Sequence, residues 1–145
     1  MTSFALRRAT PDDAPALTEC IGRAYAPYVG RIADLPPVTE GVGDDIAKHL
    51  VWVAVSAGQV VGGVVLVITS ESAHLANVAV DPDMRGTGLG RALIAQAEAE
   101  SRRRGLGVIQ LATHVDMPEN VALYRHLGWR EIGRDGRKVL MDKTL

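Results

Sequence analysis

Val78-Ala79-Val80-Asp81-Pro82-Asp83-Met84-Arg85-Gly86-Thr87-Gly88-Leu89-Gly90-Arg91-Ala92-Leu93 is the stretch whose reading decides the rest. An apolar run enters Asp81-Pro82, and proline lacks the N–H that a strand ladder needs. Three glycines follow at alternate positions, and then an Ala- and Leu-rich helix begins. A glycine turn between a strand end and a helix start bares several backbone N–H groups. With the positive end of the helix dipole they form an anion cradle. Glycine serves there because a phosphate must approach the backbone closely and because turn residues can need positive φ. Two kinds of cradle do not fit. A P-loop has Lys and then Ser or Thr after its last glycine, whereas Arg91-Ala92 follow Gly90. A dinucleotide fingerprint is spaced G-x-G-x-x-G, and Gly86-x-Gly88-x-Gly90 is one residue short.

The whole chain sets bounds on what that loop serves. Its 145 residues make one domain's worth, and at 47% hydrophobic they bury a core without metal or disulfide staples. A net charge of -1 leaves no electrostatic footprint for nucleic acid or an anionic membrane. One cysteine allows no intrachain disulfide, which fits a reducing compartment. Met1 to Arg8 lacks a long apolar run, so no signal peptide is expected. The apolar run Val60 to Ile68 is broken by Gly62-Gly63 and is too short to span a bilayer. The expectation is a cytoplasmic protein. His49, His74, His114 and His126 show no metal-ligand spacing with Cys20 or one another, so no metal is expected. Cys20 sits beside Ile21 on an amphipathic stretch and reads as a buried thiol rather than an acyl carrier.

Around the glycine loop the elements follow from period and punctuation. Phe4 to Ala9 reads as an edge strand. Thr10-Pro11-Asp12-Asp13 reads as a helix start, with a cap, a proline at the first position and acids at the positive dipole end. Ala14, Leu17, Ile21, Ala24 and Tyr28 recur at helical spacing, and Pro27 ends or bends that helix. Gly30 to Gly43 is irregular, and Asp44 to His49 is a short second helix. Val51 to Val55 and Val60 to Thr69 are strands joined at Ala57-Gly58-Gln59, and His74 to Val80 completes a meander. A helix from about Gly88 to Arg104 carries Leu89, Leu93 and Ala97 on one stripe. Arg102-Arg103-Arg104 complement its C-terminus and Gly105 ends it. Val108 to Ala112 is then a strand parallel to the one before the crossover. A short helix, Val121 to Leu127, and two strands joined around Asp135-Gly136 complete the chain.

Arg85-Gly86-Thr87-Gly88-Leu89-Gly90 matches at every fixed position the acetyl-coenzyme A loop, Arg or Gln-x-x-Gly-x-Gly or Ala. A second match, Asn120 to Trp129, has the form N-x-x-x-Y-x-x-x-G-aromatic. On these motifs and the element order the chain resembles the GNAT family, the GCN5-related N-acetyltransferases. The resemblance implies an α+β fold with residues 1–145 as a single domain. Its mostly antiparallel, mixed seven-stranded sheet would have one parallel pair splayed apart, flanked by about four helices. It implies acetyl-CoA as co-substrate, its arm on Val78, Ala79 and Val80 and its pyrophosphate on Arg85, Gly86, Thr87, Gly88, Leu89, Gly90 and Arg91. Asn120 would orient the arm. Tyr124, also at the coenzyme, would donate to the departing thiolate.

The implied reaction moves an acetyl group to a primary amine by direct attack through a tetrahedral intermediate. The acceptor wall is expected from Tyr25, Tyr28, Arg31 and the Pro36-Pro37 region, with His74 and Asn77. The strand before the loop has no carboxylate, so the general base is Glu71, His74 or water. A small-molecule amine is the leading acceptor. A protein N-terminus or lysine is the alternative within the class, and a non-catalytic acyl-CoA sensor is the reading outside it. A homodimer is compatible with the family; nucleic acid and membrane partners are not expected.

Overall fold

The computed structural model describes residues 3–34 and 37–145. Among them run β1 (Ala5–Arg8), α1 (Ala14–Tyr25), α2 (Val42–Lys48), β2 (Leu50–Ser56), β3 (Gln59–Ile68) and β4 (Ala73–Val80). After the glycine loop come α3 (Leu89–Arg103), β5 (Val108–His114), α4 (Pro118–His126), β6 (Arg130–Asp135) and β7 (Lys138–Thr144). The order is the one expected, and the seven strands form one sheet, β1-β2-β3-β4-β5-β7-β6. All neighbours are antiparallel except β4 and β5.

Local chemistry explains most boundaries. The β2–β3 turn is only Ala57-Gly58, both at positive φ (51° and 76°), and Gln59 pairs with Ser56. That is the two-residue hairpin geometry whose twist matches the strands, so Gln59 begins β3 rather than completing the turn. Pro27 ends α1 at Tyr25 in a single 3-10 turn, Ala26–Tyr28. α2 starts two residues earlier than the acidic pair suggested, because Gly41 at φ 75° allows the chain to enter it. Arg102, Arg103 and Arg104 fold back on Glu98 and Glu100, so the basic run is spent within its own helix.

The core lies on both faces of the sheet. Leu89, Leu93 and Ala97, the expected α3 stripe, pack on one face with Val64, Leu66, Leu75, Ile109 and Met141. Leu17 and Ile21 of α1 pack on the other with Val51, Val53, Val65 and Ala79. Gly62 and Gly63 sit where both helices come closest. A Cβ on Gly63 would stand 2.5 Å from Leu17 Cδ1, and one on Gly62 would stand 3.0 Å from Leu89 Cδ2.

The start of α1 is locked electrostatically. Asp13 accepts the Thr10 N–H at 2.7 Å and both Arg7 terminal nitrogens at 2.7 and 2.8 Å. The Arg7 guanidinium holds the Asp13 carboxyl down, against the opposing effect of burial, from 3.8 to about 2. A depressed folded-state pKa stabilises above the unfolded value and is lost as pH falls through the folded one. Asp13→Asn is therefore expected to flatten the loss of stability between pH 4 and pH 2, read as urea midpoints, while lowering stability at pH 7.

Candidate active site

β4 and β5 pair at only two positions, Ala73 with Ile109 and His74 with Gln110. Between Asn77 and Leu75 the register of β4 against β3 shifts, so Ala76 is the extra residue of a bulge. A bulge bends its strand and raises the local twist. Beyond it β4 leans away from β5, and the two strands open into a groove of about 960 Å³. The Asp81 N–H donates to Val61 O at 2.8 Å, on the β3 side. Backbone groups alternate sides along a strand, so Ala79 also faces β3 while Val78 and Val80 turn their N–H and C=O toward the open edge. Val78 and Val80 line the groove. Ala79 does not: its side chain is buried under α1, which corrects its place among the expected contacts.

The glycine loop forms the groove's lower end. Gly86 and Gly88 adopt φ of 78° and 83°, a region that side chains resist. Among the described residues, no backbone acceptor meets the N–H groups of Gly86, Gly88, Leu89, Gly90 and Arg91; the first α3 bond is Ala92 N–H to Gly88 O at 3.0 Å. The N–H groups of Arg85 and Thr87 are used internally, by Pro82 O and Met84 O, each at 3.3 Å. Thr87 also turns its hydroxyl onto Met84 O and stays out of the groove. The cradle is therefore five amides, not a continuous run from Arg85 to Gly90. Asp81 fixes its base, accepting the Asp83 N–H at 3.0 Å and the Arg23 Nε at 2.9 Å from α1.

Tyr124 and Asn120 reach the groove from α4. Tyr124 is 9% exposed and meets Trp129 edge-on at 5.5 Å between ring centres. Burial, with Tyr25 nearby, pushes its hydroxyl pKa well above the usual phenol range. Tyr25 donates to Asn77 Oδ1 at 3.1 Å, linking α1 to β4 across the groove floor. Burial raises Tyr25 too. His74 lines the groove at the paired foot of β4, and burial lowers its pKa from 6.5. Glu71 lies in the turn before β4 and does not line the groove. Arg31 reaches the site only through Tyr28, whose ring it covers at 4.9 Å. Pro36 lies outside the described residues; Pro37 lines a separate cavity of about 240 Å³ behind Tyr25.

Three groove residues have no signal in the sequence. Glu119 of α4 accepts the Tyr28 hydroxyl, so the 3-10 turn after α1 and the start of α4 bridge the open strands. Burial and that bond push Tyr28 up to about 12. Asp34 and His114 bond each other on the far wall. Cys20 is fully buried and its thiol is raised by that burial to about 11, which removes it as an acyl carrier. Among the described residues no cluster of His, Cys, Asp and Glu could hold a metal, and no helix is long and apolar enough to cross a membrane.

A forked parallel pair with a bare amide cradle at its open end is a slot for an extended, phosphate-bearing ligand. A family model described as an acetyltransferase (GNAT) domain matches residues 47–131, more than half of the chain. The chain belongs to the GNAT family. This GNAT acetyltransferase is 33% identical over 141 residues to the uncharacterized N-acetyltransferase YjgM of Escherichia coli (strain K12), covering 90% of this chain and 84% of that one. It is 31% identical over 84 residues to the ribosomal protein bS18-alanine N-acetyltransferase of the same strain, covering 58% of this chain and 57% of that one. Among solved structures, the PaiA N-acetyltransferase of Thermoplasma acidophilum, in complex with coenzyme A, superposes with a TM-score of 0.89 over 99% of both chains at 18% identity. That last likeness concerns the GNAT fold, whose splayed strands both motifs had implied.

Proposed function

We propose that this GNAT enzyme transfers the acetyl group of acetyl-CoA to the primary amine of a small molecule. The observation that carries this reading is the open edge of Val78 and Val80 leading to five unpartnered loop amides. The pantetheine arm would add to β4 like a short strand, and the pyrophosphate would take the amides of Gly86, Gly88, Leu89, Gly90 and Arg91. Arg85 and Arg91, both exposed beside the cradle, would meet its charge. A second reading, acetylation of a protein N-terminus, is favoured by the similarity to the bS18-alanine enzyme.

Catalysis then rests on placement. The amine nitrogen attacks the thioester carbonyl, a tetrahedral oxyanion forms, and the carbon–sulfur bond breaks as the thiolate departs. The oxyanion would take the Val78 N–H, which faces the gap. His74, held neutral at pH 7 by its lowered pKa, or a groove water would take the amine proton. The Tyr124 hydroxyl would donate to the thiolate.

Release of free thiol from acetyl-CoA, measured over an amine library that includes peptides with an N-terminal alanine, tests the proposal. Turnover with a small amine supports it, and turnover with peptides alone favours the second reading. Tight acetyl-CoA binding with no turnover across the library would leave a sensor and overturn both. The cradle has its own test. Gly88→Ala introduces no clash, since nothing lies within 4 Å of the added Cβ. It imposes roughly 1–2 kcal/mol of left-handed strain, and relieving it turns the amides away. Calorimetry is expected to show acetyl-CoA affinity falling about tenfold, whereas Gly105→Ala, at a similar φ of 77° away from the site, leaves it unchanged.

A further inference from the structure

His114 ends β5 and is 7% exposed, yet it lines the groove. Both of its ring nitrogens are engaged. Nδ1 accepts the Asp116 N–H at 3.0 Å. A backbone amide can only donate, so the imidazole carries its proton on Nε2. Nε2 then donates to Asp34 Oδ1 at 2.7 Å. No lone pair is left for a substrate proton, so His114 is not the base. Asp34 is different: its side chain is 53% exposed, it too lines the groove, and its second carboxylate oxygen is not taken by His114. Arg137, at the β6–β7 turn, stands 3.7 Å from Asp34 and also pairs with Asp116. One imidazole thus joins the segment after α1 to the end of β5, and Arg137 ties the tip of the last hairpin to the same two aspartates.

That segment needs a fastening. Arg31 and Ile32 donate to Tyr28 O at 3.1 and 3.0 Å, and Ile32 is buried, but residues 29–34 contain no regular element. Of these residues Asp34 lines the groove, on the side of β5 and His114. We propose that His114 is a positioning residue for the amine acceptor: through Asp34 it holds residues 29–34 against β5 and so sets the shape of the acceptor end. The inference deepens the transferase reading and rests on it.

Three variants test it: His114→Ala, His114→Gln, which keeps an N–H able to reach Asp34, and Asp34→Ala. Hydrogen exchange at Arg31 and Ile32 reads the wall directly. KM and kcat for an alanyl peptide and for n-hexylamine read its use. His114→Ala and Asp34→Ala are each expected to speed exchange and raise acceptor KM roughly tenfold, the scale of one charge-assisted hydrogen bond. The Kd for acetyl-CoA stays unchanged, as neither side chain touches the cradle. The double variant is expected to be no worse than either single one, and His114→Gln to restore most of both readouts. Additive effects, unchanged exchange and KM, or a Gln variant as impaired as Ala would overturn the proposal. If neither probe turns over, the exchange readout decides it. Failure of the parent protein to bind acetyl-CoA would sink the transferase reading while leaving the fastening measurable. Asp34→Ala, at an exposed position, keeps the test open should His114→Ala fold poorly.

Discussion

Tyr124→Phe is expected to lower kcat roughly 10- to 100-fold and to leave acetyl-CoA affinity within about twofold, since a hydrogen bond to a charged group contributes about 1.5–3 kcal/mol. The phenol is nearly buried, packed on Trp129, and burial raises its pKa. That shift sets the character of its role. A thiol near pKa 8.5 is a stronger acid than a phenol near 10, and raising the phenol further widens the gap. Complete transfer of the proton from Tyr124 to the thiolate is uphill. In the proposed mechanism the hydroxyl would instead stabilise the developing negative charge with a hydrogen bond and keep its proton. Removing it would then cost transition-state stabilisation and little ground-state binding, so kcat is expected to fall and KM to hold. The pH profile of kcat is therefore expected to show no limb assignable to a phenol below pH 10. An unchanged kcat in the variant removes Tyr124 from the chemistry.

Gly62→Val is expected to destabilise the fold by about 3 kcal/mol, the upper end of what overpacking costs. Its Cβ alone would stand 3.0 Å from the Ala79 carbonyl oxygen and 3.2 Å from Leu93 Cδ1, in addition to the contact with Leu89. A carbonyl in a strand ladder cannot yield as a side-chain tip can. At this size each kcal/mol moves Tm by roughly 2–4 °C, so a fall of roughly 6–12 °C in thermal unfolding is the result to look for. Gly43→Ala is the control: nothing lies within 4 Å of its Cβ, and alanine in a helix gains about 0.5–1 kcal/mol over glycine. A Gly62 variant as stable as the parent would show that α3 can retreat from the sheet.

The element order and the glycine loop were legible because both are written locally. Asp81-Pro82 stops a strand, alternate glycines make a turn, and Leu89, Leu93 and Ala97 repeat at helical spacing. The forked pair was available only through the family motifs. Its physical cause, one extra residue at Ala76, leaves no mark in the alternation of His74-Leu75-Ala76-Asn77. Which loop amides are spent on the loop itself was equally invisible, since Arg85 and Thr87 bond carbonyls three residues back within an irregular turn.

The proposed acceptor end was the least readable part. Its bonds join residues far apart in the chain: Tyr25 and Asn77 are 52 residues apart, Asp34 and His114 are 80, and Tyr28 and Glu119 are 91. No window along the sequence contains both partners. His114 shows no metal-ligand spacing in the sequence, and its actual partner is a carboxylate from a segment with no periodicity. Glu71, a candidate base together with His74 and water, is close to β4 along the chain. Proximity in sequence stood in for proximity in space, and the turn places Glu71 away from the groove.

With β4 and β5 joined only at Ala73–Ile109 and His74–Gln110, the sheet is two leaves, β1 to β4 and β5 with β7 and β6, stitched at one corner. A bound arm lying along β4 would act as the thread for the rest of that seam. This short pairing would then be the one that the co-substrate reinforces. Unfolding measured without acetyl-CoA reports a molecule with an open seam, and saturation at a hundred times Kd adds about 2.7 kcal/mol of resistance.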